Sequence, residues 1–416
     1  MSSRRSFLKK VALGTALVPA VSAASRKAFG LPETMVTDEA YWHQVRSQFS
    51  FGEDKVPMNA ANLCPSSRAV SERVSHLTAD IDRDCSSNNR AKFGKLTEAS
   101  RSKVAAQLGV SPDEVALVRN TSEANNTINN GLSLDAGDEV VLWDQNHPTN
   151  NVAWDVRAAR FGLSVKRVTT PTHPKSTDEL FDTFISALSD KTKVLTITHV
   201  SNVSGIRLPA KAIVAEAHRR GIYVHLDGAQ SWGALDVDLR DLDCDSYSAS
   251  AHKWFMGPKE AGLLYVKASN IERIWPNIVA PGWGDDVDPD PKGARKFESL
   301  GQRDDACLAS VGTTVDFHNA IGAARVEARI TELASALKSG LANAGLELKT
   351  PVSSDLSGGV VILNAPAGKG GEIKNRLYTE HGIAGAATGG LRLCPHVYNT
   401  MEHVERAVKG VKAIMV

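Results

Sequence analysis

From about residue 70 to residue 300, short apolar runs alternate with helical patterns. VALVR (115–119), EVVLW (139–143), SVKRV (164–168), KVLTIT (193–198), IYVHL (222–226) and GLLYV (262–266) are β-branched and read as strands, most of them apolar on both faces. Helical spacing predicts helices over 123–132, 150–161, 178–188 and 209–220. The last carries Pro209 near its start and meets Gly221 at its end, the expected asymmetry of helix termini. Strands alternating with helices predict an α/β fold with a mainly parallel sheet covered on both sides. Residues 271–305 are rich in Gly, Pro and Asp, lack periodicity and read as loop. Beyond them come a long helix over about 315–343, GVVILN (359–364), a helix over 370–381, GLRLCP (390–395) and a last helix over 401–415. The pattern divides the chain into a large domain (71–305) and a smaller C-terminal α+β domain (306–416), with 25–70 joining the small one.

Composition narrows the class by exclusion. The 48 basic and 47 acidic side chains leave a net charge of +1 with no basic cluster, so a nucleic-acid partner is not expected. Cys64, Cys85, Cys244, Cys307 and Cys394 are scattered without a C-x-x-C pair, which fits neither a disulfide framework nor a metal site. The first residues differ from the rest. SSRRSFLKK precedes VALGTALVPAVSA, a charged start followed by an apolar stretch too short to span a membrane and ending in small residues. Arg4–Arg5 with Phe7, Leu8 and Lys9 resembles a twin-arginine signal over residues 1–24. It implies handling by the twin-arginine export machinery, cleavage after about Ala23, a bacterial periplasmic location and no stable membrane span after processing.

Polar side chains gather where the strands end, the place where open α/β sheets bind ligands. After VALVR comes Asn120-Thr121-Ser122-Glu123, and after EVVLW comes Asp144-Gln145-Asn146-His147. KVLTIT runs into His199-Val200-Ser201-Asn202, IYVHL into Asp227-Gly228-Ala229-Gln230, and DSYSA into Ser250-Ala251-His252-Lys253. Ser122 at a helix N-terminus offers N–H groups, a hydroxyl and the helix dipole to a phosphate, and Ser250 and His252 add donors. Asp227 follows a buried strand, where a carboxylate needs a cation, and a protonated pyridine nitrogen would serve. Lys253 in an apolar site would have its amine pKa lowered and could act as nucleophile and base. Phosphate, pyridinium and an aldehyde for the lysine together describe pyridoxal phosphate (PLP). Blander readings exist for several of these: helix capping by Ser122 or Asp227, a loop role for His147, a turn role for Asn202, a structural ion pair for Arg392. His199 reads as structural, and Trp232, Trp254 and Trp283 read as packing.

HVSNVSG (199–205), HLDGAQ (225–230), SAHKW (250–254) and LRLCPHVYNT (391–400) resemble, in order and spacing, the class V aminotransferase family of fold-type-I PLP enzymes, relatives of cysteine desulfurase and isopenicillin N epimerase. The likeness covers roughly residues 55–410. It implies a mainly parallel seven-stranded sheet, a homodimer, and roles position by position. Lys253 resembles the Schiff-base lysine, Asp227 the partner of the ring nitrogen, and His147 the residue stacked on the ring. Gln230 and Asn202 are similar to the ring-hydroxyl contacts. Ser122, with Glu123 beside it, Ser250 and His252 match the phosphate cradle, and Arg392 the arginine that binds the substrate α-carboxylate. Where the family has a Gly-Thr pair reaching phosphate across subunits, this chain has GQRDD (301–305), with Gln302 in the threonine place and the cross-subunit contact in doubt. GIAGAATGGLRLC (382–394) has no cysteine before Arg392, which argues against a persulfide mechanism. The acidic stretch GWGDDVDPDPKGARKFES (282–299) reads as a solvated loop rather than a pocket wall.

The expectation is an exported enzyme acting on an amino acid or amino-acid-containing peptide by transamination, epimerisation or elimination. The resemblance extends to periplasmic members that tailor pyoverdine-type siderophores. The alternatives are a cysteine desulfurase or selenocysteine lyase, and a non-catalytic PLP-binding relative.

Overall fold

A computed structural model describes residues 26–31, 39–281 and 291–416. The export signal, Trp283 and the acidic part of the 282–299 stretch lie outside the described residues. The six strands read from the apolar runs are all present, and DSYSA supplies a seventh. They are β1 (Val115–Val118), β2 (Glu139–Trp143), β3 (Ser164–Val168), β4 (Thr192–Thr198), β5 (Tyr223–Asp227), β6 (Ser246–Ser250) and β7 (Gly262–Val266). They form one sheet in the order β1-β7-β6-β5-β4-β2-β3. Neighbours from β6 through β3 run parallel, while β7 is antiparallel to both β6 and β1. The central strands β5, β6 and β7 are buried at every position, so the alternating polar residues of β5 (His225, Asp227) and β6 (Ser246, Ser248, Ser250) face the interior rather than solvent.

The helices around the sheet are α1 (Glu39–Arg46), α2 (Arg68–Arg83), α3 (Ser87–Gln107), α4 (Thr121–Gly131), α5 (Pro148–Phe161), α6 (Thr177–Ile185) and α7 (Ala210–Arg219). Pro209 sits at the N-cap of α7 rather than inside it, and Gly221 follows with φ +73°, a conformation that suits glycine. One expectation is corrected. The single helix over 315–343 is two helices, α8 (Asp305–Ile321) and α9 (Ala323–Asn343), and the first begins ten residues earlier. Gly322 separates them at φ +98°, outside any helical conformation, so the chain turns there.

The C-terminal strands β8 (Val361–Leu363) and β9 (Leu391–Leu393) pair antiparallel, with α10 (Gly370–His381) and α11 (Met401–Met415) packed nearby. Val56–Pro57 pairs in parallel with Ile383–Ala384, and Asn59 bridges to Cys394, so the segment before α2 joins this C-terminal sheet region. That places Arg392, at the centre of β9, beside the chain that leads into the main sheet. Among the described residues no helix is long and apolar enough to cross a membrane.

Candidate active site

Alternation along β5 puts His225 and Asp227 on one face, and register sets them opposite Ser246 and Ser248 of β6. Ser250 continues that face to the strand end. Helix α4 crosses it with residues four apart, which lie on one side of a helix. Thr121 meets Ser250, its N–H donating to Oγ at 2.8 Å and the two hydroxyls lying 2.7 Å apart. Asn125 meets Asp227, donating from Nδ2 to Oδ2 at 2.9 Å. The other oxygen of Asp227 accepts the Ala229 N–H at 3.0 Å. Asp227 is only 1% exposed, and no cationic side chain forms an ion pair with it among the described residues. A buried carboxylate with two neutral donors and no countercharge leaves room for a cationic guest.

Lys253 follows β6 on a turn that is anchored from both sides. Ala251 N–H donates to Ala261 O at 2.8 Å, and Gly257 N–H returns to Ala251 O at 2.7 Å. Met256 takes φ +57°, a conformation that costs a non-glycine residue about 1 kcal/mol or more and persists only when its surroundings enforce it. They do so here. Trp254 donates from Nε1 to Gln230 Oε1 at 2.7 Å and accepts from His396 Nε2 at 2.7 Å. Phe255 stacks on Trp232 at 3.7 Å and on His318 at 4.9 Å. Trp232 and Trp254 are thus packing residues, as expected, and they fix the turn that presents the lysine. Among the described residues no group hydrogen-bonds the Lys253 amine. Burial lowers its pKa; Asp227 pulls it back up and Arg392 pushes it further down.

His147 caps α5, its Nδ1 accepting from Thr149 N–H at 3.3 Å. The turn that holds it is pinned by Asn146, whose Oδ1 accepts from Thr198 N–H at 2.8 Å. Burial, and then the charge on Lys253, lower the His147 pKa, with Asp227 acting the other way, so the imidazole is neutral near pH 7. His252 is pushed down to about 4, mainly by burial and then by Lys253 and Lys259, and its buried Nδ1 has no partner among the described residues. Arg392 is 4% exposed and donates to Asn202 O and to Asn59 Oδ1, both at 3.1 Å, leaving a buried Nε unpartnered. Lys253, Asp227, His147 and Arg392 therefore lie close enough to act on one another electrostatically, and together they define one site.

The remaining candidates are placed with varying directness. Ser122 is half-buried at the start of α4, whose cap is Asn120, accepting from Glu123 N–H at 3.0 Å. The Ser122 N–H and hydroxyl keep no partner among the described residues. The Glu123 carboxylate turns away to Arg119, accepting its backbone N–H at 2.7 Å. Gln230 donates to Ala61 O at 3.1 Å while accepting from Trp254. Asn202 contributes its carbonyl to Arg392. Gln302 does not join the crevice through any contact: it is exposed, accepts from Arg90 at 2.8 Å and donates to Arg303 O at 2.8 Å. Cys394 and Cys64 are buried thiols, and Cys64 is pushed up to about 12 by burial, so neither is poised as a nucleophile. His199 is buried with its pKa pushed down to about 3 by burial, in keeping with a structural role. The reading of the sequence gave no role to Thr121 or His225 and did not single out Asn125 or Asn59. The available signal was Asn125 with Asn129, two asparagines at helical spacing on a face that the strand arrangement buries.

A buried carboxylate lacking a cation, an unpartnered amine, an orphaned imidazole nitrogen and a helix N-terminus with an open N–H are the complement of a phosphorylated pyridinium aldehyde. The comparisons agree. The family profile Aminotransferase class-V matches residues 65–409. Isopenicillin N epimerase of Streptomyces clavuligerus is 28% identical over 393 residues, 90% of this chain and 98% of the relative. A probable cysteine desulfurase of Methanothermobacter thermautotrophicus is 30% identical over 295 residues, 68% of this chain and 71% of the relative. A solved cystine C–S lyase in complex with its product cysteine persulfide superposes with a TM-score of 0.81 at 22% identity, covering 88% of this chain and 99% of the lyase, which speaks to the fold. The chain belongs to the class V aminotransferase family, PLP-dependent enzymes of fold type I. Its cofactor is PLP and its substrate class is amino acids.

Proposed function

We propose that this enzyme works at the Cα of an amino acid or an amino-acid-containing peptide, by transamination, epimerisation or elimination, with Lys253 as its catalytic amine. The observation that carries the reading is Lys253, unpartnered and with a lowered pKa, sharing a crevice with buried Asp227 and Arg392. When bound, PLP supplies an aldehyde for an amine and a conjugated ring that accepts the electron pair left at Cα. Asp227 holds the proton on the ring nitrogen. Lys253, its pKa lowered by desolvation, would take or return the Cα proton. Arg392 binds the substrate carboxylate in the planar geometry that suits a guanidinium. His147 would stack on the ring, and Gln230 and Asn202 would contact its hydroxyl, the roles the family resemblance gives them. Ser122 at the N-terminus of α4, with Ser250 and His252, would receive the phosphate, with Glu123 beside Ser122 and Gln302 left for a contact across a homodimer. The motif in residues 1–24 supports export by the twin-arginine machinery to the periplasm, where tailoring of a secreted peptide or siderophore would fit. The experiment is purification of the wild type and Lys253→Ala with PLP. Wild type should show the visible absorbance of lysine-bound cofactor and the variant should lose it along with turnover; a variant that kept both would sink the reading.

A second reading is a cysteine desulfurase or C–S lyase. More of the named relatives support it than support the epimerase, and elimination from a sulfur amino acid needs no protein thiol. The absence of a cysteine in 382–393 counts against the persulfide-forming variant only. Sulfide or persulfide release from cysteine and cystine, measured beside exchange of the Cα hydrogen with deuterium from solvent, separates the two readings.

A further inference from the structure

Asn125 and His225 form a buried hydrogen-bonded relay to Asp227 whose direction can be read from its partners. Asn125 Nδ2 faces the Asp227 carboxylate at 2.9 Å and must be the amide's donor side. Its Oδ1 is then an acceptor, 2.9 Å from His225 Nε2 and 2.5 Å from Ser248 Oγ, so both of those groups donate. His225 is neutral, its pKa pushed down to about 4 by burial against the opposing pull of Asp227. With its proton on Nε2, Nδ1 accepts from Ser246 Oγ at 2.8 Å. Every link is forced: Ser246 hydroxyl to His225, His225 to Asn125, Asn125 to Asp227. All five side chains are 0–1% exposed.

We propose that His225 and Asn125 are positioning residues that orient the Asp227 carboxylate toward the cofactor's ring nitrogen. The dipoles of the relay all point their positive ends at the carboxylate, and such chains reinforce one another in a dry interior. With the Ala229 N–H on Oδ1 and Asn125 on Oδ2, the carboxylate cannot rotate, and each oxygen keeps a free lone pair. The inference rests on the assignment of Asp227 to the ring nitrogen made above.

The test uses the PLP-loaded enzyme. His225→Gln keeps an N–H near the place of Nε2, whereas His225→Phe removes it. Expected for His225→Phe is a fall in kcat of about tenfold, the size of one lost hydrogen bond in a charged chain. KM for the amino substrate should change less than about threefold. The pKa of the bound cofactor's visible absorbance should shift in the same variant, and His225→Gln should restore both readouts. Ser246→Ala, at the far end of the relay, should show a weaker form of the same shift and carries the test if His225→Phe does not fold. Equal behaviour of the Phe and Gln variants, or an unmoved cofactor titration in His225→Phe and Ser246→Ala, overturns the relay. Retained lysine-bound colour in Lys253→Ala would instead overturn the underlying site assignment.

Discussion

Gly228 sits between Asp227 and the turn toward Gln230, and the structure makes it a steric sensor of the site. A Cβ there would lie 1.9 Å from Tyr247 Cζ and 2.1 Å from its hydroxyl. Ordinary carbon contacts begin near about 3.5 Å, so ring or backbone must yield by roughly 1.5 Å. The ring cannot move freely, because Tyr247 is fully buried and its hydroxyl lies 2.9 Å from Ser231 Oγ. The backbone is held as well, with Gly228 N–H donating to Ser248 O at 2.8 Å. Overpacking costs about 1–3 kcal/mol and a lost backbone hydrogen bond about 1 more, so Gly228→Ala should destabilise by about 3 kcal/mol. Any backbone shift also drags Asp227, so PLP should bind more weakly. Urea denaturation followed by tryptophan fluorescence reads the first effect, and absorbance titration with PLP reads the second. The double variant Gly228→Ala/Tyr247→Ala should cost less than the sum of its singles by at least about 1 kcal/mol, since each relieves the other. A Gly228→Ala protein within about 0.5 kcal/mol of wild type, with unchanged PLP affinity, would refute the packing argument.

Two further outcomes follow from charge. His218 has its pKa raised by its hydrogen bond to Asp245, 2.8 Å away. Its contribution is fully present below the unfolded value of about 6.5 and is lost as pH rises through the folded pKa, on the order of 1 kcal/mol. Denaturation midpoints measured at pH 6 and pH 8.5 should therefore differ more in wild type than in His218→Gln, and an equal pH response in both would contradict the pairing. For export, Arg4→Lys with Arg5→Lys should retain the protein in the cytoplasm on cell fractionation, while normal periplasmic delivery of that variant would rule out the twin-arginine route.

Much of the architecture was legible because burial on both faces writes continuous β-branched runs into the chain. All six runs became strands of the sheet, five of them largely buried and SVKRV as the exposed edge strand β3, and the helices over 370–381 and 401–415 appear with those bounds. Residues 315–343 misled because NAIGAARV keeps an apolar helical rhythm across the break, and one glycine at positive φ is all that interrupts it. Helices α2 and α3 left little trace, since both have few buried apolar positions and α3 carries almost no one-sided pattern.

In the site the division is sharper. The roles of His147 and Arg392 came from the resemblance to the family, whereas Lys253 and Asp227 could be singled out from the chain alone, because a lysine or carboxylate at a buried strand end has few reasons to be there other than chemistry. Which neutral groups serve them could not. Asn125 lies 102 residues from Asp227, and Asn59 lies 333 from Arg392. A neutral amide carries no charge that would look out of place in a sequence; it gains meaning only when packing sets its two ends against particular partners. Tertiary structure alone also decided that Glu123 turns to Arg119 and that Gln302 stands outside the crevice. The chain encodes the reactive groups through their cost of burial, and folding chooses the groups that orient them, because hydrogen-bond geometry exists only between elements already in place.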